Sequence, residues 1–276
     1  MLRRTLMGIA LTALLAPMAM AQTVDEVIAK HIEAQGGLDK IRAVKSMKMT
    51  GKMLMGGGME APFTQMAKRP KMTRVEFVFQ GMTGIQAYDG KNAWMVMPFM
   101  GKKDPEAMPE DQAKMMDDQA DMDGPLVDWK EKGSKVELLG KEQVEGADAF
   151  KLKVTKKDST VTTFYIDAES YLQIKQEGKR KVRGTEVEGE TVLGDYKEVN
   201  GMMMPFTMES GAKGSPQKQK IVIDKIEVNA DLPDSLFLLP AGAKAAAKAA
   251  MPDSVKAAAK APAKGATKAA ATGKKK

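Results

Sequence analysis

The chain has 276 residues, no Cys, one His and a formal net charge of +7. Without Cys the fold must stand on a hydrophobic core rather than disulfides. Cys-His nucleophiles, His-rich zinc sites and Ser-His-Asp triads are excluded unless His31 serves.

The charge is uneven. Nine Lys against one Asp give residues 241–276 a charge of +8, and Arg3 and Arg4 add +2 near the N-terminus, so the body from 22 to 240 carries −3. Residues 1–21 read as a signal peptide: Arg3 and Arg4, an apolar stretch from Leu6 to Leu15, then Ala19-Met20-Ala21 as a small-x-small cleavage site. That stretch is shorter than the ~20 residues a membrane helix needs. The reading implies export to the periplasm of a Gram-negative bacterium.

Next comes an amphipathic helix, "TVDEVIAKHIEAQGG", with Val24, Val27, Ile28, His31 and Ile32 on one face. Thr23 and Glu26 form a capping box, and Gly36-Gly37 ends the helix. A second short helix is expected from Leu38 to about Lys45. "SMKMTGKML" and "MEAPFTQMA", joined by Gly56-Gly57-Gly58, read as a hairpin. "KMTRVEFVFQG" alternates Val75, Phe77 and Phe79 with Arg74 and Glu76. Asp89-Gly90 reads as a type I′ turn. The run after it, Ala93 to Met97, is apolar at every position and is expected to be covered on both faces.

The strand pattern breaks at Lys102. Beyond Pro105 and Pro109 a helix is expected around Met115, Met116 and Met122, then a short one carrying Leu126, Val127 and Trp129. From "KVELLGKEQV" to "KIVIDKIEVN" strands return. Phe150, Leu152 and Val154 alternate with Lys151 and Lys153, the mark of a sheet wet on one side. Residues 22–240 thus read as one mainly β (α+β) domain of about ten strands. Its long antiparallel sheet must curl, with the helices on the concave face. The Ala/Lys/Pro-rich tail, 241–276, has almost no large apolar residue and reads as disordered. Its functional reading is attraction to an anionic membrane surface or another polyanion; the signal segment argues against nucleic acid.

No G-x-S-x-G, P-loop or G-x-G-x-x-G segment occurs. "QADMDGPLVDWK" fails as a calcium loop, because Gln119 and Lys130 stand where positions 1 and 12 need carboxylates. His31 lies within the first helix and reads as a packing residue. Met is the compositional oddity, 24 in all, with Met-x-Met at 47/49, 53/55, 95/97 and 202/204. On a strand that spacing places both thioethers on one face. Three readings stand: core packing, an adaptable apolar groove, and Cu(I) binding. No catalytic residue, cofactor or metal ligand set is expected.

Three segments, "AKRPKMTRVEF" (67–77), "YDGKNAWMVMP" (88–98) and "SLFLLPAG" (235–242), resemble in their order the LolA-like superfamily of periplasmic lipoprotein carriers, and more closely its outer membrane lipoprotein-sorting relatives. The resemblance implies an unclosed β-barrel with a helical lid over an apolar cavity for acyl chains. It implies that Arg69 of Lys-Arg-Pro holds the lid and favours onward transfer. The family's aromatic four residues on is Thr73 here. Expected cavity-lining residues are Val75, Phe77, Phe79, Ile85, Trp94, Val96, Met115 and Met116. The implied function is a monomeric carrier of lipid or lipoprotein cargo, with an inner-membrane releasing transporter and an outer-membrane acceptor as partners. The alternative is an envelope sensor or scaffold on the same fold, bound to a protein partner.

Overall fold

The structure, a computed structural model, describes residues 22–55, 58–182 and 185–243. The expected signal segment and nearly all of the expected tail lie outside the described residues.

Helix α1 spans Val24–Ala34. Its N-terminus is fixed as the sequence indicates: the Glu26 backbone N–H donates to Thr23 Oγ1 at 3.3 Å and the Thr23 N–H to Glu26 Oε2 at 2.8 Å. Val27, Ile28 and His31 form its buried face. Helix α2 spans Leu38–Ala43. Six strands follow: β1 Ser46–Met55, β2 Met59–Lys68, β3 Met72–Phe79, β4 Met82–Tyr88, β5 Ala93–Met97 and β6 Lys102–Ala107. Helix α3, Glu110–Gln119, separates them from β7 Lys135–Val144, β8 Ala147–Thr155, β9 Val161–Asp167, β10 Gln173–Val182, β11 Thr185–Val199, β12 Met202–Ala212 and β13 Lys218–Val228.

Thirteen strands, rather than about ten, make one antiparallel sheet in the order β6-β5-β4-β3-β2-β1-β13-β12-β11-β10-β9-β8-β7. The pairing of β1 with β13 joins two meanders. The two free edges are β6 and β7, consecutive strands in the chain, so the sheet does not close.

The sheet curls strongly. Lys71, in the β2–β3 turn, holds Asp117 of α3 at 2.6 Å, and Lys156, just after β8, holds the adjacent Asp118 at 2.6 Å. β3 and β8 stand eight strands apart in the order, about 38 Å on a flat sheet at ~4.8 Å per strand. Neighbouring carboxylates on one helix cannot span that distance, so the sheet bends round α3.

Four local expectations change. α3 ends at Gln119, short of Met122, which lies in a turn. β6 is a strand although it contains Pro105: at a sheet edge the missing N–H faces away from the ladder. Residues 126–129 form turns, not a helix, because Asp128 is left-handed at φ 50°. The β4–β5 connection, 89–92, has four residues and is not a two-residue type I′ turn. Asp89 Oδ1 accepts from the backbone N–H of Lys91 and Asn92 at 2.9 and 2.6 Å, and Gly90 supplies the positive φ of 94°.

Both long helices lie on the same, inner face. Val27 and Ile28 of α1 pack with Leu126 on Val136, Phe150, Leu152, Val154, Phe164 and Ile166. Met116 and Ala120, from α3 and its C-terminus, pack on Tyr88, Met95 and Met97 with Met108. The outer face of the other meander is covered by the segment after β13: Leu232 and Phe237 bury Met66. β5 is thus covered on both faces, with Trp94 3% and Met95 7% exposed.

Candidate functional site

Side chains alternate across a strand, so the register decides which residues share the inner face. Gly51 of β1 stands opposite Phe63 of β2 and Ile223 of β13; Phe63 stands opposite Phe77, and Phe77 opposite Gly84. Met53 faces Ile221, which faces Met208. Phe63, Phe206 and Ile223 are buried at the centre of this surface. Met49, Met53, Met208, Ile221, Ile226 and Val199 are partly buried around them. The result is an apolar trough, about 24 Å wide across the six strands from β3 to β11. The helices flank it: α3 packs on β4 and β5, and α1 on β7.

Two glycines make room for the aromatic floor. A Cβ on Gly51 would lie 2.1 Å from the Val222 carbonyl oxygen and 2.9 Å from the Phe63 ring. A Cβ on Gly84 would lie 2.8 Å from the Phe77 ring and 3.0 Å from that of Phe99. In both places the phenyl ring occupies the space left by the missing side chain across the strand.

The Met-x-Met spacing has the expected geometric consequence. Met47 and Met49, Met95 and Met97, and Met202 and Met204 all turn to the inner face by register, as does Met53. The Met55 side chain lies outside the described residues. Among the described residues, no group of three or more His, Asp or Glu side chains is placed to hold a metal ion.

A polar clasp stands beside α3. Arg69, at the end of β2, donates from Nη1 and Nη2 to the two oxygens of Asp123 at 2.7 and 2.5 Å. It also donates from Nε to the Val44 carbonyl at 2.6 Å and from Nη2 to the Ile41 carbonyl at 3.0 Å. One guanidinium thus ties the end of α2 to the loop after α3. Those hydrogen bonds hold the Asp123 carboxyl below the usual carboxylate range and raise the Arg69 guanidinium.

A cleft of about 460 Å³ opens next to this clasp, lined by Lys71, Asp117, Asp118, Asp121, Lys132 and Lys156 among others. Ion pairs bridge it: Lys132 to Asp121 at 2.6 Å, besides the two lysine contacts to α3, and Lys114 to Asp158. Burial alone would raise the Asp117 carboxyl, but hydrogen bonds from Lys71 and Tyr88 bring it below its ordinary value. Burial, then the Asp117 contact, pushes the Tyr88 phenol up to about 12. A smaller hollow of about 230 Å³ lies between α1 and residues 126–131, walled by Ile28, Ile32, Leu126 and Trp129.

The expected lining residues separate into two groups. Val75, Phe77 and Phe79 lie on the inner face, and Met116 is buried there against β5. Ile85, Trp94 and Val96 lie on the outer face: Ile85 pairs with Val96, and Trp94 pairs with Ala87 two residues on. The Trp94 Nε1–H donates to the Phe237 carbonyl at 2.9 Å, under the C-terminal segment. Met115 is 37% exposed on α3. Residues the sequence reading passed over form the floor, above all Phe63, Phe206, Met208 and Ile223. Their signal was the same parity as the Met-x-Met pairs, read across strands rather than along them. His31 is 3% exposed, with its Nδ1–H donating to the Tyr171 carbonyl at 2.8 Å. Thr73, where the resemblance implied an aromatic, is fully buried, and its Oγ1 donates to the Met66 carbonyl at 3.3 Å.

Comparisons with known proteins agree on the architecture. A crystal structure of a LolA superfamily protein from Nitrosomonas europaea superposes with TM-score 0.53 at 14% identity, over 79% of this chain and 98% of that one. A DUF1329 family protein from Desulfovibrio piger gives 0.55 at 12%, over 79% and 98%. A domain from Vibrio parahaemolyticus, named after outer membrane lipoprotein sorting, gives 0.53 at 12%, over 77% and 94%. No curated protein matches. A family model whose description reads "Uncharacterized protein" matches residues 80–240, more than half of the chain. The chain belongs to that family, and its fold is that of the LolA-like superfamily.

Proposed function

We propose that this protein is a carrier that holds the acyl chains of a lipid or lipoprotein in its apolar trough, without catalysis, in the periplasm of a Gram-negative bacterium. The observation that supports this most is the trough itself: a sheet centre floored by Phe63, Phe206 and Ile223, ringed by partly buried Met and Ile, with helices at both sides. Burying an acyl chain contributes about 0.8 kcal/mol per methylene, so about a dozen methylenes supply on the order of 10 kcal/mol before ordering costs. Methionine suits cargo of variable shape, because its thioether chain is flexible and polarizable.

Arg69 is the residue we assign to holding the lid, since it ties α2 to the loop that follows α3. Of the expected lining set, we assign Val75, Phe77 and Phe79 to the trough wall; Met116 packs beneath α3, and Met115 is exposed on that helix. An inner-membrane releasing transporter and an outer-membrane acceptor are the partners this reading calls for, with the basic tail drawn to anionic lipid headgroups.

The test is occupancy. Protein purified from a Gram-negative periplasm is extracted with organic solvent and the extract analysed by mass spectrometry. Stoichiometric lipid, and uptake of a fluorescent fatty acid by the stripped protein, are expected. Absence of both refutes the reading.

A further inference from the structure

Three consecutive hairpins, β1–β2, β3–β4 and β5–β6, turn at the same end of the sheet, because neighbouring strands alternate in direction. Adjacent tips are two strands apart, about 10 Å. Their sequences are Met-Gly-Gly-Gly-Met (55–59), Phe-Gln-Gly-Met (79–82) and Pro-Phe-Met-Gly (98–101). None of these 13 positions is charged, in a chain that is 29% charged. The turns at 69–71, 89–92 and 156–160 all carry charged residues.

Three apolar side chains at or beside the tips are exposed to solvent. Met59 is 49% exposed, Met100 62%, and Val78, beside the second tip, 38%. The third tip is pre-set rather than loose: the Phe99 ring packs on Phe79 at 5.5 Å and on Phe77 at 5.7 Å. Just behind the tips stands a collar of opposed charges, Lys52 with Glu60 at 3.2 Å and Lys102 with Glu106 at 2.9 Å.

We propose that this end of the sheet is a membrane-docking edge, with Met59, Met100 and the rims of Phe79 and Phe99 entering the interfacial layer of a phospholipid bilayer. A protein partner fits the same surface poorly. A stable contact buries about 800 Å² on each side, and three separated tips offer far less continuous area. A bilayer needs no complementary shape, and binding to it scales with the apolar area inserted. The charge-balanced collar complements zwitterionic headgroups, so this contact resists salt, unlike attraction of the lysine-rich tail to anionic lipid. The proposal does not rest on what the trough holds.

The chain has no Cys, so Met100→Cys in the full chain gives a single labelling site for an environment-sensitive fluorophore. With vesicles of phosphatidylethanolamine and phosphatidylcholine, the label at position 100 is expected to shift to the blue, and to keep that shift in about 0.5 M NaCl. A label carried by Lys157→Cys, away from the tips, is expected not to shift. Met59→Glu with Met100→Glu is expected to lower vesicle flotation about tenfold or more. The labelling readout stands even where that double variant folds poorly. No shift at position 100, loss of the shift in salt, or flotation unchanged in a folded double variant overturns the proposal. So does a concentration-dependent dimer that the same substitutions dissolve.

Discussion

Arg69 and Asp123 form a two-pronged ion pair, Nη1 to Oδ2 at 2.7 Å and Nη2 to Oδ1 at 2.5 Å, with side chains only 27% and 19% exposed. The same guanidinium also donates from Nε to the Val44 carbonyl and from Nη2 to the Ile41 carbonyl. Arg69→Leu leaves a half-buried carboxylate and two carbonyls without their partner. It is expected to cost about 2 kcal/mol, less than a fully buried pair because solvent reaches both groups. That corresponds to a fall in Tm of about 4–8 °C for a domain of this size. Arg69→Lys restores less than half of it, since an ammonium lacks the planar fork. A double-mutant cycle with Asp123→Asn, measured by urea denaturation, is expected to show coupling of about 1 kcal/mol. Additive effects would show that the clasp is not energetically real.

The same pair has a pH signature. The Asp123 carboxyl is lowered in the folded protein, so its contribution is complete above the unfolded value of 3.8 and is lost as pH falls through the folded value. His31 acts in a separate window. Burial lowers its folded pKa below 6.5, against a smaller opposite push from the Tyr171 carbonyl. The unfolded chain then binds a proton that the native state refuses, so stability falls as pH drops below about 6.5, by no more than about 1.4 kcal/mol per pH unit. His31→Leu is expected to flatten the stability profile between pH 5 and 6.5 while leaving the fall below pH 4 in place. An unchanged slope in the variant would assign the mid-range dependence elsewhere.

Much of this architecture was legible along the chain. The capping box at Thr23, the alternation through Phe150, Leu152 and Val154, and the Met-x-Met spacing all carry direct physical meaning, and all three appear as expected. The facing of β5 was not legible. A strand apolar at every position has no parity signal, and what decides that Trp94 points outward is Phe237, 143 residues away. The same distance problem hid Asp123. As part of a failed calcium loop it carried no assignment, and its partner Arg69 lies 54 residues upstream. Residues 126–129 show a local failure: apolar spacing suggested a helix, but the left-handed backbone at Asp128 forbids one.

The trough makes a prediction that separates binding from folding. Met208 and Ile221 face one another across β12 and β13 and are only partly buried. Met208→Asp places a carboxylate where acyl methylenes are proposed to lie, at a site water already reaches. Uptake of a fluorescent fatty acid is expected to fall about tenfold or more, while Tm moves by only a few degrees. Phe63→Ala is the contrasting case. It opens a cavity in the floor and is expected to cost about 3–5 kcal/mol regardless of cargo. Equal loss of binding and stability in both variants would mean that Met208 serves packing alone.

Gly51 tests how the floor is built. A methyl group there would sit 2.1 Å from the Val222 carbonyl oxygen, a contact with backbone that no rotamer can relieve. β1 and β13 are the pair that joins the two meanders, and the register shifts at this point, between Thr50 and Gly51. Gly51→Ala must therefore push the two strands apart, with a cost expected to exceed about 3 kcal/mol. At Gly84 the atoms nearest an added Cβ belong to the Phe77 and Phe99 rings, at 2.8 and 3.0 Å, rather than to backbone. Rings at a partly exposed edge can tilt, so the cost there is expected to stay at about 1–2 kcal/mol. Urea denaturation of the two variants side by side decides the matter. Similar costs at both positions would show that the β1–β13 junction yields as readily as the edge of the trough.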